Sequence, residues 1–326
     1  MSASRILVYF LWYLLAATVS MPAQADIHGS WTATPREDGV LQMQFAREHN
    51  FNGMPMAISA FSGLSEAQVA SVSQTQVNFE LRRDAGTIAL EGVFKLREGA
   101  GHFTFRPNRG YFDQVKAMGV PLGAKYEDAE EPEERLFNLA VMDVSPAFIK
   151  SMQEAGYRVS LEQYATMRIF RVTPQLIEEL RSLGYRDIDF DDLIATRVHK
   201  VTPDYIRQMR AASYDRLTMD QLVTTRIHAA TPEFLQQMKE LGYGSLAFDD
   251  LIAFRIHRVT PEFVRDLRAL GYSNISADDL VAMRIHRVTP EYIRELKGVG
   301  YANIPVEKLI DMRIHGIDAK YISKMK

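Results

Sequence analysis

The stretch VTPEFVRDLRALGYSNISADDLVAMRIHR, Val259 to Arg287, recurs along this chain at a fixed interval of 29 residues. Full-length copies start at Val172, Val201, Ala230, Val259 and Val288. An earlier copy at Val144 is one residue shorter, and a half copy, Ile317 to Lys326, closes the chain. A period of about 20–50 residues marks units that cannot bury their apolar faces alone and must stack. That constraint governs residues 144–326.

Each unit reads as two short helices. Thr260 is placed to cap the first, with Pro261 at its first position and Glu262 complementing the helix dipole. Phe263, Val264, Leu267 and Leu270 share one apolar face, Gly271 supplies a left-handed stop, and Tyr272 is placed to fold back on the last turn. Ser276 can cap the second helix, whose apolar face is expected to hold Leu280, Val281 and Ile285. Helices of about ten residues are marginal alone, so the pairs are expected to build an α-solenoid.

The amino terminus has a different character. Arg5 precedes the apolar run Ile6–Val19, and Ala23-Gln24-Ala25 forms a small-x-small cleavage site before Asp26. These are the parts of a secretory signal peptide, residues 1–25, and the run is short of the ~20 residues that span a bilayer. Removing it takes Arg5 and no acidic residue, which moves the formal charge from −3 to −4. That balance gives no general attraction to nucleic acid, and stable membrane insertion of the mature chain is not expected. With no cysteine present, disulfides, thiolate metal sites and cysteine catalysis are excluded. Secretion, with the bacterial periplasm as destination, is the expected localisation.

Residues 26–107 read as a small antiparallel β domain. Strands are expected at Gly29–Thr34, Val40–Arg47, Pro55–Phe61, Val77–Arg82, Thr87–Arg97 and His102–Arg106, with turns at Asp84-Ala85-Gly86 and Glu98-Gly99-Ala100-Gly101. Trp31, Phe45, Phe79, Phe94, Phe103 and Phe105 are candidate core, the alternative being a ligand pocket within the domain. Leu64–Val72 is a short helix or loop. The sheet needs cover on one face, and the first helix of the solenoid is the expected partner. Residues 108–143 form an atypical capping repeat. Its two helices are Tyr111–Gly119 and Leu136–Met142, and its loop carries Glu127, Asp128, Glu130, Glu131, Glu133 and Glu134. The glycine-containing spacing of a calcium loop is missing there, so a solvated loop is expected. The whole is therefore α+β.

Stacking turns each repeat position into a column. Arg168, Arg197, Arg226, Arg255, Arg284 and Arg313 form one, with an acidic column at Glu162, Asp191, Asp220, Asp249, Asp278 and Glu307. The two lie six residues apart on one helix, too far to pair locally, so each arginine should reach a carboxylate or a helix terminus of an adjacent copy. A histidine column, His199, His228, His257, His286 and His315, begins only after Phe170. Neighbouring units are ~8–10 Å apart, whereas a metal ion needs ligands at ~2 Å. No metal or other cofactor is therefore expected. These histidines should pack and hydrogen-bond at the turn into the next Thr-Pro start. A further basic row, Arg181, Arg210, Lys239, Arg268 and Lys297, is the candidate surface for a protein partner. Copy-to-copy differences at Ala229, Gln236 and Gln237, and the acidic cap, are further places to look for function.

No zincin, nucleophile-elbow, phosphate-loop or dinucleotide motif is present. His28, His49 and His102 share their region with Asp26, Glu48 and Asp84 without a spacing that joins them. A non-enzymatic binding protein is the expected class, the alternatives being an enzyme or ligand carrier on the β domain and a metal-binding histidine row. The run VTPEFVRDLRALGYSNISADDLVAMRIHRVTPEYIRELK resembles a bacterial helical-repeat family of exported proteins. Similar repeats also follow the membrane metallopeptidase domain of antibiotic sensors. The likeness covers Val144–Lys326 well and Tyr111–Met142 loosely, and regions similar to Asp26–Arg106 accompany such repeats. It implies no established activity, and the sensors' protease does not carry over, since their zinc motif is missing here.

Overall fold

The computed structural model describes residues 26–36, 39–47, 50–124 and 132–325. The expected signal peptide, Glu48 and His49, and the loop acids Glu127, Asp128, Glu130 and Glu131 lie outside them. The architecture is α+β: an amino-terminal antiparallel sheet followed by successive helices in repeating pairs. Two compact units divide the chain, Met1–Ile149 with Val159–Ala165, and Lys150–Arg158 with Thr166–Lys326.

In the first unit six strands form one curled sheet: β1 (Ile27–Pro35), β2 (Val40–Arg47), β3 (Asn50–Ala57), β4 (Thr75–Arg83), β5 (Gly86–Lys95) and β6 (Glu98–Pro107). Their order is β3-β2-β1-β6-β5-β4. Strict alternation sends one side chain in two to the core, so Ile27, Trp31 and Ala33 of β1 are buried between exposed His28, Ser30, Thr32 and Thr34. Trp31 meets Phe79 and Phe94, and its indole N–H donates to the carbonyls of Glu91 and His102, both at 3.1 Å. Phe45, Phe103 and Phe105 gather around Phe137. These aromatics pack ring against ring as a core.

Two expectations change here. The glycine-rich segment 98–101 is strand, and the β5–β6 turn falls on Leu96 and Arg97, both with positive φ. Glycine is required inside β6 for close approach: a Cβ on Gly101 would lie 1.9 Å from the Glu91 carbonyl oxygen and 2.7 Å from Gly92 Cα. The sheet is covered by the second helix of the capping repeat, Pro132–Met142, rather than the first. Its amphipathic phase puts Leu136, Phe137, Leu139 and Ala140 inside. Glu134 pairs with Arg47 at 2.9 Å and Glu133 with Arg109, whose hydrogen bond holds the Glu133 carboxyl below its ordinary range. Tyr111 of the preceding helix, Gly110–Ala117, donates to the Val144 carbonyl at 2.5 Å.

The second unit repeats one recipe. Thr173, Thr202, Thr231, Thr260 and Thr289 each cap a helix that opens on proline and runs for 9 residues. In the Val259 copy, Thr260 Oγ1 accepts from the Phe263 amide at 3.2 Å. Pro261–Ala269 buries Phe263, Val264 and Leu267, and Ala277–Ile285 buries Leu280 and Met283. Each such apolar side chain contributes roughly 1.5–3 kcal/mol. Gly271, at φ 97°, ends the first helix, and the Tyr272 amide closes the turn onto the Leu267 carbonyl at 3.0 Å. The Tyr272 ring reaches forward instead of folding back: its hydroxyl donates to the Ile304 carbonyl of the next copy at 2.8 Å. Tyr157, Tyr185, Tyr214 and Tyr243 make the same bond, each to a residue 31 or 32 positions on.

Candidate partner-binding face

Two arginine columns build the joints between copies. Arg197 Nε donates to the Phe170 carbonyl at 2.9 Å, Arg255 to His228 at 3.1 Å and Arg284 to His257 at 3.2 Å. Arg226 places both Nε and Nη2 on Lys200, at 3.1 and 2.7 Å. Each acceptor lies at the carboxy-terminal end of the preceding copy's second helix, where carbonyls lack intrahelical partners and the dipole favours a cation. Guanidiniums of this column also lie over rings of their own copy: Arg226 on Tyr205, Arg255 on Phe234, Arg284 on Phe263 and Arg313 on Tyr292. Arg168 holds the equivalent sequence position, next to the last residue of helix Leu161–Ile169.

Of the two partners expected, then, helix termini are what these arginines reach. The exposed acids Asp191, Asp220, Asp249, Asp278 and Glu307 sit in the first turns of the second helices. Successive second helices are related by translation, so their acidic starts share one edge and their basic ends the other. The carboxylates nearer the arginine edge are those in the first turns of the following first helices, as where Arg226 acts on Glu233.

The basic row proposed for partner binding is partly committed to the fold. Arg181 donates to the Ala155 carbonyl at 2.5 Å, Arg210 to Leu183 and Arg268 to Leu241. Those carbonyls cap the preceding first helix, so three of the five cations do at that edge what the first column does at the other. Lys239 and Lys297 are exposed. His199, His228, His257, His286 and His315 are the C-cap residues of their helices. At His228 and His257 the backbone carbonyl, not the imidazole, makes the bond to the next copy. Among the described residues no cluster of three or more His, Asp or Glu is arranged to hold a metal ion.

The structure also brings forward a column that the sequence reading placed in the core. Ile285 is 52% exposed, and the equivalent residues Ile169, Val198, Ile227, Ile256 and Ile314 are 49–56% exposed. The helical phase carried this signal. Ile285 follows the buried Leu280 by five residues, about 140° round the helix, while the buried Met283 follows by three. Two residues beyond each aliphatic stands Arg171, Lys200, Ala229, Arg258, Arg287 or Gly316, each with positive φ. In four of these six a long cation occupies a backbone conformation that suits glycine. The equivalent stop of the first helices uses Gly156, Gly184, Gly242, Gly271 and Gly300, with Ser213 the exception.

Comparison with protein-family models, with curated proteins and with solved structures finds no match. Among the described residues no helix is long and apolar enough to cross a membrane.

Proposed function

We propose that this chain is an exported, non-enzymatic scaffold that recognises a protein partner through its repeats, with the bacterial periplasm as its compartment. The carrying observation is the aliphatic column: a β-branched residue half exposed at the same site of six copies. Single exposed apolar residues need no explanation, but six in register at intervals of ~8–10 Å form an ordered apolar row, and grouped exposed apolar surface marks interaction sites. The remaining recurrent side chains support a binding role over a catalytic one. Translation sets equivalent groups ~8–10 Å apart, in rows rather than converging on one reacting atom. Export is supported by Arg5, the apolar run Ile6–Val19 and Ala23-Gln24-Ala25.

A photo-crosslinking residue at Ile256, compared in the native cell with one at Asp249 on the acidic edge, tests this reading. Capture of a defined protein at Ile256 and not at Asp249 is expected. No protein adduct at either position contradicts it.

A further inference from the structure

We infer that the face takes an amphipathic α-helix of its partner, with an acidic flank, a proposal that rests on the protein-binding reading above and adds the partner's chemistry. The aliphatic column and the basic positions run in parallel. Ile169, Val198, Ile256 and Ile285 are followed two residues later by Arg171, Lys200, Arg258 and Arg287, all exposed. Among the described residues none of these four cations has a carboxylate within salt-bridge distance. The nearest following acids in sequence, Asp204, Glu262 and Glu291, pair inside their own helices with Arg207, Arg265 and Arg294. An apolar stripe beside unpaired positive charge is complementary to an apolar stripe beside negative charge.

The positive φ of these residues sharpens the reading. A glycine there would relieve the backbone, as Gly316 does in the last copy, yet four copies keep a long cation. Side chains held at such positions point to use of the side chain.

Spacing accommodates a helix. Second helices of neighbouring copies lie side by side, which sets the columns ~8–10 Å apart. An α-helix advances about 10.5 Å in seven residues, so one apolar residue per heptad stays close to register. An extended strand repeats its face every ~6.8 Å, which misses the spacing by roughly 1–3 Å per copy against roughly 0.5–2.5 Å for the heptad. A lipid surface has no period and would not require one cation per copy at a fixed backbone site.

Two synthetic helical peptides of four heptads test the inference, one flanked by glutamate and one by lysine, each with a leucine per heptad. By fluorescence anisotropy with the full chain, the glutamate peptide is expected to bind about tenfold tighter at low salt, the gap closing at high salt. Arg258→Gly/Arg287→Gly should weaken it severalfold, and Ile227→Ser/Ile256→Ser/Ile285→Ser should abolish it. Equal binding of both peptides, or none, overturns the inference. So does cosedimentation with phosphatidylglycerol vesicles, lost in the triple serine variant, without binding of the glutamate peptide. If the Ile256 crosslinker still captures a protein when the peptides fail, the acidic-helix inference falls and the protein-binding reading stands. If it captures nothing either, both fall.

Discussion

The Arg226 guanidinium lies 3.8 Å from the centroid of the Tyr205 ring and donates twice to the Lys200 carbonyl of the preceding copy. One planar cation thus joins two helices of its own copy and fastens that copy to its neighbour. Replacing Arg226 with alanine is expected to cost about 1.5–3 kcal/mol, from the charged hydrogen bonds and the ring contact together. Lysine recovers only part of this, because it cannot stack flat or use a fork. Urea unfolding checks both. In a stacked array a weakened joint also uncouples its two sides, so the alanine variant should unfold over a broader range of denaturant.

The tyrosine joints make a prediction at alkaline pH. Burial pushes the hydroxyls of Tyr157, Tyr214, Tyr243 and Tyr272 above their ordinary value. A group whose folded pKa is raised contributes stability that is present below its unfolded pKa, near ~10, and lost as pH rises through the folded value. Tyr272→Phe is expected to cost about 1 kcal/mol at neutral pH. The gap from the parent should shrink as pH climbs past ~10. Circular dichroism melts across that range, with phenolate absorbance beside them, measure it.

The left-handed basic positions predict a gain. Arg258→Gly and Arg287→Gly should each raise stability by about 0.5–1 kcal/mol, since glycine takes φ near +58° without steric cost. Gly271→Ala, at φ 97°, should lower it by at least about as much. Opposite shifts in melting temperature are the expected readout.

Asp192 predicts a smaller effect in the same direction. Burial, with Asp189, Asp220 and Asp191 close by, raises its carboxyl above the ordinary range. The charged form is therefore disfavoured in the fold, and this group's contribution fades as pH rises through its folded pKa. Asp192→Asn should stabilise the chain at neutral pH and lose that advantage in acid. Melts at the two pH values decide it.

Much of this was readable from residues. The 29-residue interval, Thr-Pro starts and glycine stops define the helix pairs because caps and φ preferences are local. The alternation of Phe103 and Phe105, with Trp31, Phe45, Phe79 and Phe94, likewise defined the sheet core. What the sequence concealed was which of two chemically sensible uses a side chain has. Gly99 and Gly101 suit a turn, yet serve close strand approach, a fact held by Gly92 across the ladder. Arg181 and Arg210 suit a surface, yet reach carbonyls 26 and 27 residues back. Ile285 suits a core, and only its angle from Leu280 argued otherwise.

The most direct test combines the triple change Ile227→Ser/Ile256→Ser/Ile285→Ser with crosslinking from Lys200, which lies beside the column. All three side chains are more than half exposed, so stability should move by no more than about 0.5 kcal/mol per site. The account predicts a folded chain whose crosslinked partner disappears. An unchanged crosslinked partner on that folded variant would contradict it.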